Sequence, residues 1–316
     1  MSTYLISAYL CALCAFAVNI PRYDGHNVSM QEGRAVSDSS GNGGGGGGKG
    51  LRLDAKQACT VLYRGMPALD ARGMEMMLRQ LVGPSTVEWA RVAGNMSVPV
   101  VGGVARFGGH EIAMIALNAP VREEVLAQTV AVSPMPDEQR ALLMSHRAAV
   151  RLLYLGGSDA PAEQLTALYQ AATALITQGG IGILNERAAL AQPVELLAEY
   201  LPIRPGDTLP IPLWVGVVTF NATEVEPHER YLLRTYGMEQ FGRPEIGIYI
   251  QDRGMADGVY HTLMNICLYI VETGPRLDIG PGHRADFNGR TYLFTEPGQG
   301  DYQFASPTGF LLLVEV

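Results

Sequence analysis

The charged and aromatic side chains of this sequence are densest in residues 231–253, YLLRTYGMEQFGRPEIGIYIQDR. Carboxylates, a guanidinium group and an aromatic ring surround the glycines and the proline in the middle of the stretch. Such a set can bind a partner through ion pairs and through burial of the ring. Together with one upstream tryptophan, these side chains are the candidate binding residues: Trp214, Glu239, Phe241, Arg243 and Glu245.

The same residues also permit a structural interpretation. Arg243 and Glu245 are two positions apart, so they can form a local surface ion pair, which contributes little to stability. Phe241 can close the hydrophobic core, where large aromatic side chains are common. An open, acidic surface with aromatic rings at its edge would favour binding over this alternative.

An enzyme of the hydrolase or transferase type is the second functional hypothesis. The sequence has no HExxH or GxSxG motif, so its site would have to be assembled from dispersed residues. Asp257 lies four residues before His261, a spacing that suits a base and its orienting carboxylate but is also typical of a solvated helix face. The residues that could converge are His110, His146, His261, His283, Glu186 and Glu239.

Metal, cofactor and nucleic-acid functions are disfavoured by spacing and charge. None of the six histidines lies three or four residues from another, so no single helix can offer a histidine pair to a metal. Cys11 and Cys14 form a CxxC inside an apolar run, and Cys59 and Cys267 are isolated. The net charge of −8 opposes phosphate binding. We therefore expect no metal and no cofactor, and another protein as the partner.

The first 50 residues differ from the rest of the chain. Residues 4–20 are uncharged and mostly apolar, which leaves a membrane anchor, a signal sequence or a start site placed too early as alternatives. Residues 43–48 are all glycine and indicate a flexible linker. We expect the globular part, residues 51–316, to be cytoplasmic, with membrane contact only through residues 4–20.

Hydrophobic periodicity predicts strands and helices in alternation. Apolar residues at every second position in 245–251 predict a strand paired with 231–236. Gly108 and Gly109 predict a hairpin, and Asp70 an N-terminal helix cap. His146 and Arg147 follow a predicted helix at 137–147, where the helix dipole favours a cation. The other principal helices are predicted after Asp70, at 122–132, after Pro161 and at 256–273.

These elements predict an α+β fold with mixed or antiparallel sheets and helices packed on one face. The order strand, helix and hairpin occurs twice along the chain. This repetition suggests the hypothesis of two similar, ferredoxin-like halves, residues 51–184 and 213–316, joined through the proline-rich loop in between.

Three segments resemble the bacterial "domain of unknown function 4261" family, over about residues 59–316. They are His146-Arg147 before a hydrophobic strand, a predicted strand containing Trp214, and residues 235–246, TYGMEQFGRPEI. The resemblance implies an α+β domain in a bacterium, without an established activity, substrate or cofactor. It supplies no catalytic residues, and residues 1–50 lie outside it.

Overall fold

The computed structural model describes residues 57–91, 100–204, 206–222, 231–273, 279–298, 301 and 306–316. These residues form two β-sheets and seven helices. The helices are α1 Ala71–Val82, α2 Glu123–Val132, α3 Asp137–Met144, α4 Pro161–Ile176, α5 Val194–Leu197, α6 Ile211–Trp214 and α7 Ala256–Thr273. The α+β class predicted from the sequence is confirmed. The described residues contain no helix that is both long and apolar enough to span a membrane, and residues 4–20 lie outside them.

The first sheet is antiparallel throughout and has the strand order β2-β3-β4-β5-β1-β6-β7. Its strands are β1 Ala58–Tyr63, β2 Ser85–Arg91, β3 Val100–Phe107, β4 His110–Leu117, β5 Ala148–Gly156, β6 Gly182–Asn185 and β7 Leu190–Pro193. The predicted glycine hairpin is present, since Gly108 and Gly109 have φ of 54° and 85° between β3 and β4. Positive φ at both central positions is characteristic of the type I′ turn, one of the two common two-residue hairpin turns.

The second sheet has the strand order β11-β12-β13-β10-β9-β8, with β10 and β13 parallel and the other pairs antiparallel. Its strands are β8 Gly216–Asn221, β9 Tyr231–Tyr236, β10 Glu245–Ile250, β11 Arg284–Phe287, β12 Arg290–Thr295 and β13 Phe310–Glu315. The predicted strand containing Trp214 begins later than expected, because residues 211–214 form the helical turn α6 with a proline in its first turn.

Helices cover both faces of the first sheet, whereas we expected them on one. Val61 and Tyr63 of β1 belong to the cluster that includes α1 and α4, while the intervening Leu62 packs with Leu126 of α2 and Leu143 of α3. Because side chains alternate along a strand, these two clusters lie on opposite faces. In the second sheet, α7 packs against β9, β10 and β11.

One hydrophobic core connects the two sheets. Val61 of the first sheet and Leu168 of α4 belong to one hydrophobic cluster. The same cluster contains Ile246 and Leu313 of the second sheet. Trp214 is also a member of this cluster. The two sheets have seven and six strands in different orders, and ferredoxin-like halves are not confirmed.

Candidate functional site

The candidate residues gather around the connection between β9 and β10. These strands are antiparallel neighbours, and a short 3-10 turn, Met238–Phe241, joins them. Gly237 and Gly242 bracket the turn with φ of 113° and 67°. Such left-handed backbone angles are easily adopted only by glycine, so the sequence GMEQFG determines where the turn begins and ends.

Glu245 holds this turn from inside the protein. Its side chain is buried, and its carboxylate accepts hydrogen bonds from the Thr235 hydroxyl at 2.7 Å and the Gly237 backbone N–H at 2.9 Å. The Glu239 N–H is a third donor at 3.4 Å. Thr235 Oγ1 also accepts the N–H of Ile246 at 2.8 Å. The carboxylate therefore fixes the backbone on both sides of the turn.

The charge of Glu245 is opposed by its burial and favoured by its neighbours. Burial raises the pKa of this carboxyl, while the hydrogen bond from Thr235 and the nearby Arg234 guanidinium lower it. Arg234 is itself buried and stacks over the ring of Tyr236, 3.9 Å from the ring centroid. A buried carboxylate is costly unless hydrogen-bond donors and a cation lie beside it. These contacts therefore stabilise the buried side chain of Glu245.

Trp214 anchors the other side of the turn. It is fully buried, with its ring 6.4 Å from that of Tyr169 on α4 and 6.2 Å from that of Phe241. The side-chain amide of Gln240 donates to the Trp214 carbonyl at 3.0 Å. Trp214 therefore links α4 to the turn and does not reach the surface.

The structure divides the five candidate binding residues into two groups. Trp214 and Glu245 belong to the interior, whereas Glu239, Phe241 and Arg243 are partly exposed on the turn. Our structural alternative placed Glu245 in a surface ion pair. Instead, its carboxylate is buried and is bonded by Thr235 and the turn backbone.

His146 is buried and neutral, which corrects the expectation of a cation at the end of its helix. Its Nε2 accepts the N–H of Val121 at 2.8 Å, so the proton must be on Nδ1, which lies 3.0 Å from the carbonyl of Leu143. Burial lowers the pKa of His146. The imidazole thus joins two segments of backbone.

Three of the other candidate catalytic residues have a partner outside the set. His110 contacts the Tyr154 hydroxyl at 2.8 Å, and Glu186 pairs with Arg151 at 2.9 Å. His283 packs on Phe294, while His261 is exposed on α7 as a solvated helix face would be. Among the described residues, no three histidine, cysteine, aspartate or glutamate side chains are grouped as a metal site.

Sequence reasoning missed the residues that hold the candidate turn in place. Thr235 and Arg234 are buried polar residues within β9, and Gln240 is buried in the turn itself. One signal was available, since a polar pair inside the otherwise apolar run YLLRTY has no reason to be buried unless it is bonded. Gln57, which donates to the Gln240 carbonyl at 2.7 Å, had no such signal.

Comparisons with known proteins identify no relative. No family model matches the chain, and neither the curated proteins nor the solved structures provide a match. The resemblance to the "domain of unknown function 4261" family therefore stays a prediction from the sequence segments alone.

Proposed function

We propose that this protein is a non-catalytic binding protein, and that another protein docks on the outer surface of the turn between β9 and β10. The observation that carries the proposal is the hydrogen bonding of Glu245 to the backbone at Gly237 and Glu239. It fixes the turn on which Glu239, Phe241 and Arg243 are partly exposed.

A fixed turn is suited to binding because less conformational entropy is lost when a partner docks. The side chains on it are also of a suitable kind. Aromatic rings and arginines are enriched among the residues that contribute most to protein interfaces. Phe241 is supported from within by the ring of Trp214, at 6.2 Å. A neighbouring carboxylate, Glu239, adds charge that can select a partner.

The dispersed contacts of the histidines favour this proposal over a hydrolase or transferase. The closest arrangement to acid–base chemistry is the pair of His110 and Tyr154, at 2.8 Å. Desolvation lowers the pKa of His110 and raises the pKa of Tyr154, so both groups are held in their neutral forms. A hydrolase or transferase stays the alternative function, and its active site would have to use this pair.

Site-specific photocrosslinking in the source organism tests the binding surface. A benzophenone amino acid replaces Glu239 or Arg243 in the full chain, and Asp257, exposed on α7, is the control position. We expect the two turn positions to give one adduct of the same mass and position 257 to give none. Glu239→Lys should abolish the adduct formed from position 243, and Asp257→Lys should not.

Two results would contradict the proposal. One is that neither turn position forms an adduct although the variants fold, as judged by far-UV circular dichroism. The other is that Glu239→Lys and Asp257→Lys have the same effect on crosslinking from position 243.

A further inference from the structure

Strand β11 forms one edge of the second sheet. Its inner neighbour is β12, and in the described part of the chain no strand pairs with its outer side. The edge of a sheet presents backbone N–H and C=O groups that can pair with another strand. The hydrogen bonds of β12 show which residues of β11 present these groups.

The backbone groups of Arg284 and Asp286 point away from β12. Asp286 lies opposite Thr291, whose carbonyl accepts the N–H of Val316 at 3.0 Å and is therefore directed to the β13 side. Opposite residues of an antiparallel pair either exchange both hydrogen bonds or neither, so Asp286 directs its own groups outward. Arg284, two positions earlier, has the same orientation. His283 between β12 and this edge faces inward, since its carbonyl accepts an N–H from β12 at 2.9 Å.

The same two residues are exposed and carry opposite charges. They lie on one face of β11, while Ala285 between them lies on the other face and packs against the core. Native proteins often protect a sheet edge with charged side chains that repel a second strand. Opposite charges two positions apart do not give this protection. They attract a strand that presents the same two charges in the reverse order.

We propose that β11 pairs with β11 of a second copy of this chain, in antiparallel orientation about a twofold axis at Ala285. In this register Arg284 lies opposite Asp286 of the partner subunit, and Asp286 lies opposite Arg284 of the partner subunit. Each pair exchanges both backbone hydrogen bonds and places a guanidinium beside a carboxylate on the same face. Both copies use the same residues, as a twofold interface requires. The second sheet continues across the dimer.

A second copy is the occupant that the charges select. Read in the opposite direction, Arg-Ala-Asp becomes Asp-Ala-Arg, so this strand is complementary to itself. The residue on the twofold axis is also small. Opposite residues that exchange no hydrogen bonds approach to about 4.5 Å between their Cα atoms, and Ala285 suits this distance. The inference does not depend on the proposed partner, because β12 and β13 separate β11 from β10, where the docking turn ends.

Sedimentation equilibrium of the purified full chain tests the proposal through charge reversals. We expect the wild type to show a monomer–dimer equilibrium. Arg284→Asp and Asp286→Arg should each raise the dissociation constant about tenfold or more, because each variant places like charges opposite one another. An equimolar mixture of the two variants should dimerise again, since one edge is then acidic and the other basic. Asp257→Arg, on the exposed face of α7, changes the net charge as Asp286→Arg does and should not weaken the dimer.

Three results would overturn the proposal. The first is a wild-type chain that stays monomeric up to millimolar concentration. The second is a dimer that Asp286→Arg and Asp257→Arg affect equally, since such a dimer uses another surface, such as residues 4–20. The third is a mixture of the two edge variants that stays monomeric although both fold, as judged by far-UV circular dichroism.

If a charge reversal prevents folding, a cysteine on the twofold axis decides the question. In a full chain with Cys11 and Cys14 replaced by serine, oxidation of Ala285→Cys should join two copies through position 285, because that residue faces itself across the axis. Peptide mass analysis locates the disulfide. Asp257→Cys in the same background should form no such link, and a chain in which position 285 does not link overturns the proposal.

Discussion

Two buried ionisable side chains of this protein, His146 and Glu245, accept hydrogen bonds from backbone N–H groups. His146 accepts the Val121 N–H, and Glu245 accepts the N–H groups of Gly237 and Glu239. Burial shifts both equilibria toward the neutral form, so it lowers the pKa of the imidazole and raises that of the carboxyl. The two residues should therefore give opposite pH dependences of stability.

His146→Gln should destabilise the protein by about 1 to 3 kcal/mol above pH 7, because one glutamine amide cannot replace both the acceptor for the Val121 N–H and the donor to the Leu143 carbonyl. The folded pKa of His146 lies below its ordinary value of 6.5, so the unfolded chain binds more protons in acid. The stability from neutral His146 is complete above the unfolded pKa and is lost as the pH falls through 6.5 toward the folded pKa. Urea unfolding should show that the difference in the free energy of unfolding between wild type and His146→Gln decreases over that pH range.

His261→Gln is the matched control, since His261 is exposed on α7. Its free energy of unfolding should stay within about 0.5 kcal/mol of the wild type at pH 7, because an exposed side chain contributes little to stability. If the difference in the free energy of unfolding between wild type and His146→Gln does not change with pH, the imidazole of His146 in the wild type is not held in its neutral form.

Glu245→Gln should lower the free energy of unfolding by about 2 to 3 kcal/mol at neutral pH. The glutamine amide has one acceptor oxygen, whereas the carboxylate offers two oxygens to the surrounding donors. The folded pKa of Glu245 is raised above 4.5, so the folded protein binds more protons than the unfolded chain just above that pH. Its contribution is largest below the unfolded pKa and is lost as the pH rises through the folded pKa. Acidification should therefore increase the difference in the free energy of unfolding between the wild type and Glu245→Gln, which urea unfolding at several pH values measures.

At the scale of elements, the turn between β9 and β10 depends on two glycines with different surroundings. A Cβ at Gly237 would lie 2.4 Å from the carbonyl oxygen of Trp214, whereas nothing lies within 4 Å of one at Gly242. The first position requires glycine for both its backbone angle and its space. The second requires only a residue that tolerates the left-handed conformation.

Gly237→Ala should lower the free energy of unfolding by about 3 kcal/mol, from backbone strain together with the contact to Trp214. Gly242→Asn should stay within about 1 kcal/mol of wild type, because asparagine adopts left-handed angles more readily than other residues with a side chain. Chemical denaturation compares the two variants. Equal effects of the two substitutions would mean that the close approach of Gly237 to Trp214 is not important.

At the scale of the whole molecule, the shared core makes the two sheets interdependent. Helix α4 packs on the first sheet, and its Tyr169 hydroxyl donates to the carbonyl of Leu213 at 2.7 Å. Gln170 of the same helix donates to the carbonyl of Ile203 at 3.1 Å. Separating the sheets would expose this helix and leave buried polar groups without partners.

A fragment that ends at Tyr200 should therefore not unfold cooperatively, although it contains all seven strands of the first sheet. Differential scanning calorimetry of the fragment should show no sharp transition, while the full chain shows a single one. A fragment that melts cooperatively at the midpoint of the full chain would establish independent halves.

The sequence by itself determined the features that depend on neighbours along the chain. The hairpin at Gly108 and Gly109 follows from glycine backbone freedom, and the cap at Asp70 from its bond to the Arg72 N–H at 3.1 Å. The exposed face of α7, with Asp257 and His261, follows from helical periodicity. In each case the interacting residues lie within a few positions or share one element.

The tertiary structure alone decided which polar residues are buried and what they bind. Gln57 and Gln240 are 183 positions apart, and His146 and Val121 are 25 apart. No local pattern encodes such pairs, because they form only when packed elements bring them together. For the same reason the sequence identified Trp214 and Glu245 as candidate functional residues but could not show that they lie in the core, where they hold the exposed turn.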